Sequence, residues 1–516
     1  MKTKHRVNQL KIGSLLSYGQ MALAIVIGLV YTPIMLRILG QSEYGLYNTV
    51  STTIAMLSIL NLGFNSSYIR YFSKYKKEDN QEAIEKLNGL FIILFSIIGC
   101  IALICGLFLS FNLRFVFDTG LTESEYQTAR ALMLLLSVNL ALSFPAGVFV
   151  SIVSAHEKYV FLKLLGMAKT VLSPLVTLPL LLLGYRSIAM VAVTVTLSLV
   201  TDILYGVYVI KHLRQRFVFR DFEKGIFKSL FVYSGFIAIN LIVDQINWNV
   251  DKFLLGRFLG TASVAVYSVG FTLYNYYMMF STAISAVFTP RIHAIVNETK
   301  AERVLQRTRL TELFVKVGRI QFLILGLIAS GVVFFGKNFI AYWAGEGYEE
   351  SYYVALLLIL PATVALIQNL GIEVQRAQNK HRFRSYVYFG MALINLVLSI
   401  FLCRAYGAVG AAVGTAFALI VANGIVMNIY YHLQCNIDVI VFWKNILRVG
   451  VGLLPPIGVG IAITYLVPIT SLLSLIIWIG IYAAVYCLSV LLLGMNAYER
   501  QLLKKPIEKL LKRKHD

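Results

Sequence analysis

Five polar residues of one apolar stretch, Tyr233, Asn240, Asp244, Asn247 and Asp251, fall within about 60° of one another at about 100° per residue. Carboxylates and amides stacked in this way can accept hydrogen bonds from hydroxyls, or take up a proton or a small cation. A carboxylate near the middle of a bilayer costs about 2.5–3.5 kcal/mol, so such a face is expected to look at water or at a partner charge. Asp202 and Lys169 are the other ionisable groups placed well inside apolar stretches, about 12 Å and about 8 Å of helix rise from one end. They belong to consecutive segments and could pair. Arg37, Arg70, Arg257 and Arg291 sit at the ends of apolar stretches, where anchoring is the ordinary use, but a guanidinium there could also meet a phosphate. Tyr274 belongs to a further stripe, Tyr267, Tyr274, Met278, Ser281 and Ser285. Two more stripes are Ser17, Gln20, Ala24, Gly28 with Tyr31, and Tyr47, Ser51, Ser58 with Asn65. Small and hydroxyl residues also pack helices against each other in membranes, which competes with the cavity reading for these three stripes.

The elements carrying these residues follow from composition. The 516 residues are 58% apolar and 14% charged, with 46 Lys+Arg against 25 Asp+Glu and a net charge of +21. Soluble domains are nearer 45–50% apolar and about 25% charged, so a water-soluble enzyme or a nucleic-acid-binding domain is disfavoured. Apolar runs long enough to cross a bilayer occur about fourteen times, at 12–36, 44–69, 89–110, 131–154, 164–183, 187–210, 229–250, 262–288, 313–335, 352–375, 385–403, 408–433, 446–467 and 472–494. The first run is too long for a signal peptide and ends in Arg37-Ile38-Leu39-Gly40, so it reads as a retained helix. Lys316 and Arg319 in the ninth are expected to snorkel to headgroups, and Pro290 is expected to break the eighth.

An even number of spans puts both termini on one side. That side then holds 37 of the 46 Lys and Arg, the opposite side holds eight, and Lys169 lies inside a helix. The asymmetry predicts cytoplasmic termini. The seven His and five Cys show no metal-ligand or CxxC spacing, and no HExxH, GxSxG or P-loop pattern occurs. No cofactor, metal or nucleic-acid partner is expected.

The chain also repeats itself. At an offset of 220, Arg37, Leu39, Gly40 and Tyr47 align with Arg257, Leu259, Gly260 and Tyr267. At 222–224, Ala155, Lys158 and Gly166-Met167-Ala168 align with Ala377, Lys380 and Gly390-Met391-Ala392. Because the offset covers six spans, the repeat is parallel. The expected organisation is an N-lobe at 1–210, a basic linker at 211–228, a C-lobe at 229–433, two further spans at 434–494 and a basic tail at 495–516.

The stretches Arg37-Ile38-Leu39-Gly40-x-x-x-Tyr44-Gly45-Leu46-Tyr47, Asn61-Leu62-Gly63-Phe64-Asn65-Ser66-Ser67-Tyr68-Ile69-Arg70, Asp251–Gly260 with Tyr267, and Gly407-Ala408-Val409-Gly410-Ala411-Ala412 resemble the multidrug/oligosaccharidyl-lipid/polysaccharide exporter superfamily. Within it, the chain resembles the Wzx-type polysaccharide flippases. The resemblance implies a protein of the bacterial cytoplasmic membrane. It would move undecaprenyl-diphosphate-linked oligosaccharide to the outer leaflet by alternating access, coupled to protons or sodium, beside other polysaccharide-assembly proteins. Against that pattern, Arg37, Arg70, Lys169, Arg257 and Arg291 are the candidate diphosphate contacts. Asn240, Asp244, Asn247, Asp251 and Tyr274 are the candidate glycan contacts, and Asp244 or Asp202 the ion-coupling group. The first span carries no charge between Lys11 and Arg37, where drug exporters of the superfamily often place a carboxylate and lipid II flippases an Arg-Asp pair. Those two transporters remain alternatives, as does a membrane polysaccharide polymerase or glycosyltransferase.

Overall fold

A computed structural model describes residues 2–117, 121–222, 225–299 and 302–502. Glu223 and Lys224 of the linker, Asp118, the Tyr233 side chain and the tail from 503 onward lie outside the described residues.

The described residues form helices and no strand: α1 (Lys2–Met56), α2 (Phe64–Lys77), α3 (Gln81–Phe111), α4 (Leu113–Val116), α5 (Glu123–Ala155), α6 (Tyr159–Leu182), α7 (Arg186–Val207), α8 (Ile226–Gln245), α9 (Asp251–Phe258), α10 (Thr261–Glu298), α11 (Arg303–Trp343), α12 (Ser351–Leu366), α13 (Leu370–Ala377), α14 (His381–Leu419), α15 (Met427–Leu433), α16 (Val439–Val451), α17 (Leu454–Leu466) and α18 (Leu472–Ser489). Among them nine helices are long and apolar enough to cross a membrane, or eleven if two bent pairs, α12 with α13 and α16 with α17, each count as one span. Two of the nine are far longer than the roughly 20 residues a bilayer needs. The stretch Ile12–Lys77 is broken at Gly40 (φ 76°, ψ 170°), and Arg382–Leu433 at Tyr406 and Gly407 (φ 60°, ψ −140°). The count is therefore consistent with fourteen spans. The described residues make an all-helical, multi-pass membrane protein with a parallel internal repeat.

The repeat is legible in the backbone itself. Left-handed residues recur at corresponding places: Gly40 and Gly260, Glu157 and Asn379, Gly184 and Gly407, Arg214 and Asn436. Gly40 adopts a backbone region that is essentially glycine's alone, which explains why Arg37-Ile38-Leu39-Gly40 carries that residue where one span hands over to the next. The turn after α5 closes with Lys158 N–H donating to the Val153 carbonyl at 3.1 Å. Its counterpart after α13 closes with Lys380 N–H donating to the Gln375 carbonyl at 2.8 Å.

The halves differ in one span. The first copy breaks into a 3₁₀ turn at Leu57–Asn61 and a left-handed Leu62-Gly63 before α2. The second, α10, runs unbroken to Glu298, so Pro290 does not end it, contrary to expectation. Neighbouring helices can re-satisfy the carbonyl that a proline frees, which is why proline is tolerated inside membrane helices.

Packing divides the chain into two compact units, Met1–Ser268 with Leu396–Ala411, and Val269–Asn395 with Ala412–Asp516. In the first, glycines allow close approach: Gly99 faces the Ala141 carbonyl and Gly106 faces Ser137, which seats α3 against α5. A core of Phe64, Tyr68, Phe72, Phe91, Phe95 and Phe144 fills the space around them. The segment expected to be the linker is strapped to the start of α3. Asn88 donates to the Arg216 carbonyl at 3.0 Å and accepts from Tyr68 at 2.7 Å, while Val218 N–H donates to the Glu85 carbonyl at 3.0 Å.

The second unit is centred on α11. Phe314 meets Phe442 of α16 with ring centroids 4.7 Å apart, Gly318 lies under the same ring, and Gly326 faces the Tyr486 hydroxyl of α18. Arg319 does not snorkel. Its side chain is 4% exposed and forks onto that of Glu499, 3% exposed, with Nε donating to Oε1 at 2.6 Å and Nη2 to Oε2 at 2.8 Å. The remaining guanidinium donors reach the carbonyls of Asn445 (2.9 Å) and Gly494 (2.8 Å). Lys316 lies over the Tyr498 ring at 3.8 Å. A carboxylate delivered from beyond α18 turns one expected membrane anchor, Arg319, into a lock that ties α16 and the segment after α18 to α11, and Lys316 stacks on Tyr498 of the same segment.

Candidate polar site

In the first unit α1, α6 and α7 share a polar wall. Gln20 of α1 lies against Gly166 of α6, so that a Cβ on that glycine would come within 2.7 Å of its Nε2. One turn further along α6, half-buried Lys169 donates to Ser198 Oγ at 2.8 Å. Ser198 and Asp202 are four residues apart on α7 and so share a face. Asp202 is near enough for its charge to act on Lys169, without a direct hydrogen bond between them. Nearer the other end of α6, Tyr31 of α1 lies beside Thr177 and Tyr47. The two internal charges singled out from the sequence are thus brought to one place, with a serine between them. Ser198 carried no signal of its own beyond its spacing from Asp202.

The stripe of the seventh span is split. Asn240 and Asp244 are exposed on α8 and Asn247 is half-exposed, whereas Asp251 is 3% exposed. Asp251 accepts from the Tyr267 hydroxyl at 2.7 Å and from Ser399 Oγ at 2.8 Å, so it fastens α9, α10 and α14. The cause is a π-helical turn at Ile246–Val250. It takes one more residue than an α turn, and a face drawn at the α repeat loses register across it. Arg37 and Arg70 are exposed, and half-exposed Arg257 donates to the Val116 carbonyl at 3.4 Å.

The second unit presents an aromatic and amide cluster. Tyr274 is 7% exposed and packs on Phe271 at 5.7 Å. Tyr388 lies near it, bonds Asn423 Oδ1 through its hydroxyl, and receives Arg384 over its ring at 4.6 Å. Sequence reasoning missed Tyr388, Asn423 and Arg384; nothing distinguished that tyrosine from the chain's other 29. Arg291 is exposed on α10 and joins none of these groups.

Among the described residues no cluster of three His, Cys, Asp or Glu could hold a metal ion. The five cysteines are free thiols. In the turn after α15, burial pushes the Cys435 thiol up to about 12, so it stays protonated and unreactive.

This architecture is shared with solved transporters. A lipid II flippase, MurJ, in an inward closed conformation superposes with a TM-score of 0.70 at 15% identity, over 95% of this chain and 99% of that one. An inward-facing multidrug resistance MATE transporter of the MOP superfamily superposes with a TM-score of 0.59 at 12% identity, over 84% and 99%. The fold is therefore that of MOP-superfamily membrane transporters. The family described as "Polysaccharide biosynthesis protein" matches residues 11–296, more than half of the sequence, and the chain belongs to it. A curated Shigella flexneri relative named "Putative O-antigen transporter" is 21% identical over 405 residues, which cover 78% of this chain and 92% of that protein.

Proposed function

We propose that this protein is a flippase that carries an oligosaccharide on an undecaprenyl-diphosphate carrier from the cytoplasmic to the outer leaflet, acting as a transporter and not as an enzyme. The observation that carries the reading is the Lys169–Ser198–Asp202 cluster, set inside apolar helices of a chain of the polysaccharide biosynthesis family. A charge pair in that setting is costly to keep and is a functional-site signal by default. A diphosphate arriving beside Lys169 gives the ammonium a stronger partner than Ser198. Asp202, left without its cation, then gains affinity for a proton or sodium ion, and this would couple transport to an ion. Asn240 and Asp244 of α8, and Tyr274 with Tyr388, offer acceptors and rings to sugar hydroxyls and faces. Alternating access would use the repeat halves, 1–210 and 229–433, joined by the basic linker, with both termini cytoplasmic as the charge asymmetry implies.

The test is movement of a fluorescent undecaprenyl-diphosphate oligosaccharide across vesicles containing the purified protein. Protein-dependent movement is expected to fall sharply in Lys169→Gln, and to lose its dependence on an imposed ion gradient in Asp202→Asn. Unchanged movement and unchanged ion dependence in both variants would remove the cluster from the mechanism.

A further inference from the structure

On the membrane face that the charge count assigns to the outside, the two repeat-related glycine turns meet inside the first unit. A Cβ on Gly45 would overlap the Thr261 carbonyl, and one on Gly256 would press on Thr49 Cγ2 at 2.7 Å. Glu125 reaches this contact from the first turn of α5. Its Oε2 accepts from the Thr122 N–H and hydroxyl, both at 2.8 Å, a capping box that pins the carboxylate to its own helix start. Oε1 is left to the two turns, where it accepts from Ser42 at 2.5 Å and Thr261 at 2.8 Å, whose hydroxyl oxygens are 3.3 Å apart. The next residue reaches elsewhere. Glu43 Oε1 accepts from the Ser187 N–H (2.9 Å) and hydroxyl (2.7 Å) at the start of α7, and its Oε2 faces Arg186 at 3.4 Å. Of these groups, Ser42, Glu43, Glu125 and Arg186 border a cavity of about 540 Å³ that also takes in Leu39, Ser124 and Thr128.

Resting on the flippase reading above, we propose that Glu125 is a releasable latch: it holds the turn at 40–45 against the turn at 260–261 in this state, and must let go of one of them for the polar interior to open outward. Two features separate a latch from permanent glue. Ser42 is exposed and Glu125 half-exposed, so water can take up the carboxylate oxygen once Thr261, itself 5% exposed, moves away. The surfaces beneath meet through glycine and backbone, with only the small Thr49 side chain seated against Gly256. The Arg319–Glu499 fork is the opposite case, buried from water and saturated by carbonyls. Glu43, tied to the start of α7, fixes the 40–45 turn to the first repeat half, so the bond expected to open is the one to Thr261.

The test replaces Ser42 and Thr261 by cysteine in a chain whose five native cysteines are removed. Oxidation is expected to join the pair, seen as loss of both maleimide-reactive thiols, and to arrest glycan movement until reductant is added. Movement that continues in the joined protein overturns the latch, as does failure of the pair to join when each single-cysteine protein labels. A second arm does not depend on the cargo. With a cysteine replacing Gln20, Glu125→Ala is expected to raise labelling by a membrane-impermeant maleimide added outside several-fold, and an unchanged rate counts against the latch. Absence of glycan movement in the parent protein, with a positive labelling arm, would instead indict the flippase reading.

Discussion

His156 shows how a single side chain in this protein ties stability to pH. It lies in the turn after α5, its ring 4.8 Å from Phe72 and its Nδ1 2.9 Å from the Ile152 carbonyl. Burial holds its pKa below the ordinary value, and the neighbouring charges of Lys76 and Lys158 push the same way. A depressed folded-state pKa means that the unfolded chain binds the proton more readily. The stability contributed is therefore complete above the unfolded value of about 6.5 and is lost as pH falls through it toward the folded value. Thermal unfolding in detergent between neutral pH and pH 5 should show a falling midpoint, and His156→Gln should flatten that fall. Residues of this kind were only partly legible in the sequence. Lys169 and Asp202 announced themselves because charge is rare inside apolar runs. Ser198, Tyr388 and Asn423 did not, because hydroxyl and amide residues serve packing as readily as recognition, and only their neighbours decide which.

At the scale of elements, periodicity predicted the helices well and failed where a turn departed from the α repeat or a partner came from far along the chain. The π turn at Ile246–Val250 moved Asp251 off the face of Asp244 and into a packed junction. The 3₁₀ turn and left-handed pair at Leu57–Gly63 interrupt a span that reads as continuous, whereas Pro290 interrupts nothing. Arg319 found its partner 180 residues away, beyond any local pattern. That pair makes a sharp prediction, because removing one member of a buried pair strands the other without water. Arg319→Met or Glu499→Gln alone should each destabilise the protein by about 3–5 kcal/mol, and the double replacement should cost less than either. Unfolding of the four proteins of the cycle in mild detergent measures this, and purely additive losses would contradict the account. The pair also gives α16 and the segment after α18 a reason to stay with α11, since α16 contributes the Asn445 carbonyl and that segment the Gly494 carbonyl and the carboxylate.

For the molecule as a whole, composition and charge were the most informative features. A chain that is 58% apolar with 46 cations had to be a membrane protein, and counting the cations along it suggested an orientation. The repeat seen in a few matched residues is written more fully in the backbone, where left-handed turns recur at the same places in both halves although most of the sequence has diverged. The glycan's identity is not legible in this way, because a cavity reads sugars through tertiary geometry that no spacing encodes. The central claim, movement of a lipid-linked glycan across the membrane, is tested most directly by depleting the protein in cells and measuring which leaflet holds the lipid-linked oligosaccharide. The account predicts that it accumulates on the cytoplasmic leaflet. Unpolymerised oligosaccharide facing outward would contradict it and favour a polymerase.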